Sequence, residues 1–323
     1  MDSGLLRSLA SVLAQSSPLV FAGLGETLTE RAGVINLSLD GSILLSAMVA
    51  FAVAYTTNSL LLGFLAAMVV GALVALLIAF ASISLRQDQV AVGFVLFALC
   101  TELSSFLGKP FVRKPGPSVP HWPIPLLSDL PIVGPLFFSH NLVVYLSFLL
   151  IPATWWWIAR TQPGLKLQGV GERPEAAFAR GVNVHRLRYL YTVLGGALVG
   201  FAGAAYSLSV KLGWSHRHTA GNGWIALAIV IFGGWHPIRV ALGAYLFGGL
   251  KSLASTLQRV WPQVPTQVFQ VAPFALMLLA LLLVSSDLLD RLTALLPPKV
   301  GRPLRNALRG SPPAALGTAF IKE

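Results

Sequence analysis

What most constrains this chain is a succession of apolar runs, each close to the length of a bilayer crossing. The hydrocarbon core of a membrane is about 30 Å thick, and about 20 helical residues span it. Backbone amides cannot be left bare in lipid, so such runs fold as helices. Nine runs read as candidate spans: residues 8–25, 40–57, 60–85, 89–107, 141–159, 189–209, 220–235, 237–257 and 268–286. Composition agrees, with only 11% charged residues and a mean hydropathy of +0.73. A soluble domain carries about 25% charged residues. The predicted fold class is all-α, a polytopic transmembrane helical bundle of about 8 to 10 helices.

Two runs are irregular. The first holds Gln15, Ser16, Ser17 and Pro18, which predicts a break. Only Arg7 charges its start and no small-residue cleavage site follows, so it reads as a retained span rather than a signal peptide. The seventh, "AGNGWIALAIVIFGGW", is short and ends in Gly233-Gly234. It reads as a crossing or as a half-helix of the kind that lines transporter cavities.

Loop charge sets the orientation. Residues 160–188 carry Arg160, Lys166, Arg173, Arg180, Arg186 and Arg188, and the stretch after 286 carries Arg291, Lys299, Arg302, Arg305, Arg309 and Lys322. Basic loops stay cytoplasmic, so both belong on that side, and the Pro-rich 108–140 loop and the N-terminus fall outside. The expected organisation is a transmembrane domain over 1–286, holding the 160–188 loop, and a basic cytoplasmic tail over 287–323. The net charge of +11 is explained by these loops. It is not a nucleic-acid footprint, since no soluble domain carries a basic patch. The expected medium is membrane lipid.

No motif supplies a chemical engine. The chain has no G-x-x-x-x-G-K-[ST] phosphate loop, no H-E-x-x-H and no G-x-S-x-G. His216 and His218 lie two apart, and two ligands do not make a metal site. The single Cys100 excludes a disulfide framework. Glu102 stands alone in the fourth span. It reads either as a polar group on a translocation path or as a hydrogen-bonded carboxyl at a helix interface. An ion-driven transporter needs clustered mid-membrane carboxylates, which are missing. The chain is thus a passage without a motor: a subunit driven by another protein, or an autonomous channel or transporter.

Small residues recur at fourfold spacing in two spans: Gly63, Ala67, Gly71, Ala75 and Ala79 in the third, Gly196, Gly200 and Ala204 in the sixth. Such ridges let helix backbones touch, either between subunits or within one.

The charged stretch "GVGERPEAAFARGVNVHRLR" (169–188) predicts a helix of about two turns. Pro174 suits its first turn, Glu172 and Glu175 its positive end, Arg180 its last turn and Gly181 a left-handed stop. A helix this short needs a surface to lie on. Ala176, Ala177 and Phe178 give it a small apolar contact set, for a partner's groove or for its own bundle.

This stretch with its continuation "YLYTVLGGALVGFAGA" resembles the signature region of ABC importer permeases of the ribose and branched-chain amino acid type. The nearest pattern is that of the nucleoside and simple-sugar permeases that work with basic-membrane-protein-like binding lipoproteins. "GLGETLTERAGVINLSLDG" (23–41) and "GNGWIALAIVIFGGWHPIRVALGAYLFG" (221–248) are similar to two further stretches of that family, in the family's order. Asp40 stands where the family usually has Glu, and Ser38 where it has Gly.

The resemblance implies a type II-like importer permease with broken helices in a bacterial cytoplasmic membrane. The solute expected is a nucleoside, with a ribose- or galactose-like sugar as the alternative. It further implies a tandem-domain cytoplasmic ATPase, which would hold ATP and magnesium, leaving this chain without a cofactor. A second, paralogous permease subunit and an extracytoplasmic substrate-binding lipoprotein complete the expected assembly. Glu172, Arg173, Pro174, Glu175, Ala176, Ala177, Phe178, Arg180 and Gly181 would be the coupling helix that docks on the ATPase. The translocation-path candidates are Asn36 and Asp40 in "ERAGVINLSLDG", Glu102, and Asn222 and Trp224 in the seventh run. For Asn36 and Asp40 the alternative is a plain helix start. For Trp224 and Trp235 it is anchoring at the membrane interface.

Overall fold

The computed structural model describes residues 3–219, 221–265 and 310–320, with scattered positions between 267 and 279. The ninth apolar run therefore falls largely, and residues 287–309 wholly, outside the described residues. The elements in order are α1 (Ser3–Arg31), α2 (Leu39–Thr57), α3 (Leu60–Ala79), α4 (Gln89–Gly108), α5 (Leu142–Arg160), α6 (Gln162–Glu172), α7 (Pro174–Ala179), α8 (Val184–Ala205), α9 (Asn222–Phe232) and α10 (Pro237–Val260). Among the described residues seven helices are long and apolar enough to cross a membrane: α1, α2, α3, α4, α5, α8 and α10. The fold is an all-α polytopic bundle.

α1 is continuous, against the expected break. Pro18 has no N–H to give the carbonyl of Ala14, but the Ser17 hydroxyl donates to that carbonyl at 2.8 Å. The side chain replaces the missing bond, so the turn holds. α1 also runs on to Arg31, beyond the apolar run, because the polar groups it carries inward find partners. Glu26 Oε1 accepts from the amide of Asn36 at 3.2 Å, Glu30 accepts from the Trp235 indole, and Arg31 Nε donates to the Trp235 carbonyl at 2.7 Å.

α8 lies at the centre, packed on α1, α2 and α3. The fourfold ridges explain how. Gly71 of α3 faces the backbone of Gly196 and Gly200, and Gly200 faces that of Ala67 and Met68, with no room for a Cβ. Bare backbone on both helices lets the axes close to van der Waals contact. Packing within one subunit is thus the use these ridges serve.

α6 and α7 sit at the end of the bundle where α1 finishes and α8 begins. α6 is a helix where loop is expected; it starts at a Thr161 cap whose Oγ1 accepts from Gly164 N at 3.2 Å. α8 begins at Val184, capped by Asn183 Oδ1 accepting from Arg186 N at 3.0 Å. Arg188 is therefore a helical residue, and only 2% exposed. Residues 310–320 lie across this same end.

Candidate functional site

Two interruptions meet inside the bundle. The first is the irregular segment 32–38 between α1 and α2. Gly33 turns it at φ +90°, a left-handed conformation that glycine adopts freely. Its polar groups are satisfied locally: Ile35 N donates to Gln89 Oε1 at 2.8 Å, and Asn36 Oδ1 accepts from Ser38 N at 3.1 Å and Ser38 Oγ at 2.7 Å. Irregular backbone at membrane depth persists only when paired in this way.

The second interruption is α9. Its 11 residues span about 16 Å at 1.5 Å per residue, half of a crossing. Its C-terminal end is tied to the end of α1 through Trp235, whose carbonyl and indole bond Arg31 and Glu30. Its N-terminal end therefore stops inside the bundle, where Asn222 and Gly223 are buried.

Asp40, in the first turn of α2, closes the gap. Its Oδ1 accepts from Gly223 N at 2.8 Å and its Oδ2 from Gly221 N at 3.1 Å. Both oxygens act as acceptors, the pattern of an ionised carboxylate at a positive helix end. The reach of Asp is enough because Gly223 sits directly on the Asp40 backbone, where a Cβ would not fit. A side chain one methylene shorter than the Glu usual in the resembling family thus suits this contact.

A cavity of about 250 Å³ opens beside this junction, lined by Asp40, Leu44, Phe97, Ala98, Thr101, Glu102 and Arg217. Glu102 Oε1 and Arg217 Nη2 are 3.2 Å apart at its edge, with side chains 70% and 56% exposed. Trp224 packs behind it, its ring 5.4 Å from Phe97 and 5.7 Å from Phe94. Of the predicted path residues, Asp40 and Glu102 line the cavity directly and Trp224 buttresses its aromatic wall. Asn222 is buried in the first turn of α9, and Asn36 is turned into the 32–38 segment. Trp235 is buried against Glu30. The sequence reading missed Phe97, Thr101 and Arg217, for which spacing carries no signal.

The segment leading into α9 is pinned by His218. Its Nδ1 lies 2.9 Å from the Ser215 carbonyl and its Nε2 3.3 Å from Ser207 Oγ. Its ring meets Trp214 edge-on at 4.7 Å. Burial pushes this imidazole down to about 4 from the usual 6.5, so it is neutral at physiological pH. Among the described residues no group of three or more His, Cys, Asp or Glu is placed to hold a metal.

At the α6–α7 end, Gly181 takes φ +82° and ends α7, with Val182 N donating to the Ala177 carbonyl at 3.1 Å. Pro174 and Ala177 face the bundle and are buried. Glu172, Arg173, Glu175, Ala176, Phe178 and Arg180 face outward, Phe178 being 39% exposed.

Residues 8–281 match the family model described as branched-chain amino acid transport system / permease component. TsgC13 of Haloferax volcanii, a permease protein assigned to a glucose ABC transporter, is 39% identical over 76% of this chain and 76% of its own length. The guanosine ABC transporter permease protein NupQ of Bacillus subtilis is 34% identical over 84% of this chain and 89% of its own. The nucleoside ABC transporter permease protein NupC of Lactococcus lactis is 32% identical over 85% and 91%. No solved structure matches at a significant level.

Proposed function

Given that this chain belongs to the permease component family of branched-chain amino acid transport systems, we propose that it is one membrane half of an ATP-driven, binding-protein-dependent importer of nucleosides. The observation that carries the reading is the cavity between Asp40 and the Glu102–Arg217 pair. An ion pair this exposed is costly against hydrocarbon, so its face of α4 borders a watery path or protein. A second, paralogous permease half opposite α4 would complete the path. Phe97, Thr101 and the two carboxylates offer an aromatic face with hydrogen-bonding groups, which suits a base joined to a sugar.

α7 would dock in a cleft of a tandem-domain cytoplasmic ATPase through Glu175, Ala176, Phe178 and Arg180. ATP-driven closure of the ATPase favours one arrangement of α7 over another, and only such a difference in contact energy shifts the path between its two openings. Hydrolysis belongs to that partner, and solute arrives from an extracytoplasmic binding lipoprotein. The basic α6–α7 end faces the cytoplasm of a bacterial cell.

The relatives named for guanosine and nucleosides support the solute class. The relative assigned to glucose favours a sugar as the second reading. Proteoliposomes holding both permease halves, the ATPase and the binding lipoprotein test this with labelled guanosine. ATP-dependent uptake that a hundredfold excess of glucose leaves intact is the expected result (about 100-fold covers a two-decade affinity difference). Uptake without ATP would refute the importer; loss to glucose would give the sugar reading.

A further inference from the structure

Residues 310–320 cross the α6–α7 end without helix or strand, yet they are tied down at several places. Ala315 N donates to the Gly171 carbonyl at 2.8 Å, at the end of α6. Gly317 N donates to the Gly33 carbonyl at 3.1 Å, where segment 32–38 begins. Arg188 Nη1 donates to the Thr318 carbonyl at 2.7 Å. The Phe320 ring lies 5.7 Å from Phe178 of α7 and 5.4 Å from His185. Gly310 meets Gly234, just past the end of α9, backbone to backbone. Phe320 is 5% exposed although it lies on the outermost layer.

We infer that this segment is a strap that carries displacement of α7 to both interruptions of the path, with Phe320 and Arg188 as positioning residues. The inference rests on α7 being the ATPase contact. The topology gives the strap its use. It touches α7 at Phe178, the start of segment 32–38 at Gly33, and the end of α9 at Gly234. The far ends of those two segments are the Asp40–Gly221 and Asp40–Gly223 bonds. α7 itself is only six residues long and buries just Pro174 and Ala177, a small hold for transmitting motion alone.

Arg188 strengthens the argument. Its Nε and Nη2 find no acceptor among the described residues. The Thr318 carbonyl is the one bond its guanidinium makes there, so the strap also satisfies a buried cation whose abandonment is costly.

The test uses the complete transporter in proteoliposomes and reads solute moved per ATP hydrolysed. Phe320→Ala should lower that ratio about 3- to 30-fold, the range seen when a coupling element is weakened, while the complex stays assembled. Phe320→Tyr should restore it. Deletion of residues 310–323 should uncouple further; if that variant does not assemble, Phe320→Ala decides. An unchanged ratio in Phe320→Ala overturns the strap. Phe178→Asp is the control for the premise: if it too leaves the ratio and uptake intact, α7 is not the ATPase contact, and the failure lies there.

Discussion

Replacing Asp40 by Ala should loosen α9 selectively. The carboxylate accepts two amides at 2.8 and 3.1 Å from the first turn of a half-helix, and the site is buried, with Asp40 5% and Asn222 5% exposed. Removing it leaves two donors without a partner, at about 1–3 kcal/mol each. Loss of a negative group at the helix end adds about 0.3–1 kcal/mol. Taking water entry to recover part of this, we expect a net cost of about 2–5 kcal/mol. Asp40→Asn keeps one acceptor and the shape but loses the charge, and should cost about 1–2 kcal/mol. Hydrogen exchange by mass spectrometry on the purified protein reads the difference locally. At 1.36 kcal/mol per decade, amides in 222–232 should exchange about 30- to several-thousand-fold faster in Asp40→Ala. For Asp40→Asn the expected factor is about 5 to 30. α3 and the stretch of α8 that meets it at Gly71, Gly196 and Gly200 are held by their own backbone contact and should keep their protection. If α9 exchanged at the wild-type rate in Asp40→Ala, the junction would not be what holds the half-helix.

Gly71→Val puts a branched side chain against the Gly196 and Gly200 backbone, an overpacking cost of about 1–3 kcal/mol or more. The thermal midpoint in detergent should fall, whereas Gly249→Val, where nothing lies within 4 Å, should stay within about 0.5 kcal/mol of wild type. His218 supplies a pH dependence. Its folded value of about 4 lies below the usual 6.5, so between those values the unfolded chain binds the proton more readily and stability falls as pH drops. From pH 7 to 4.5 the loss is about 2–3 kcal/mol. His218→Gln should remove this component from a pH series of thermal midpoints.

Legibility followed the range of the interactions. Crossing helices depend on run length, which is local, and α2, α3, α4, α5, α8 and α10 lie where apolar runs place them. The short α9 was legible in part, from the brevity of its run and the Gly233-Gly234 pair at its end, which left a crossing and a half-helix both open. The left-handed stop of α7 followed from Gly181. Pro18 misled because the hydroxyl that compensates for it, on Ser17, is visible only once the turn is built. Arg188 counted as a loop cation, since nothing local reveals that Thr318, 130 residues away, supplies its acceptor. For the same reason Arg217 could not be matched to Glu102, 115 residues earlier. The two interruptions were each suspected, but their union through Asp40 leaves no trace in any periodicity.

That union has a consequence for how the protein is made. Asp40 and its partner amides are 181 and 183 residues apart. At about 5–20 residues per second, a ribosome takes about 9–36 s to deliver the second after the first. Throughout that interval the early helices are already in the bilayer with an unanswered carboxylate and an open seam. The nascent chain needs a companion there, such as the insertion machinery or bound water, until α9 arrives. The Asp40 junction is therefore among the late contacts of synthesis, and stalled or truncated chains ending before residue 221 leave that carboxylate without its amide partners.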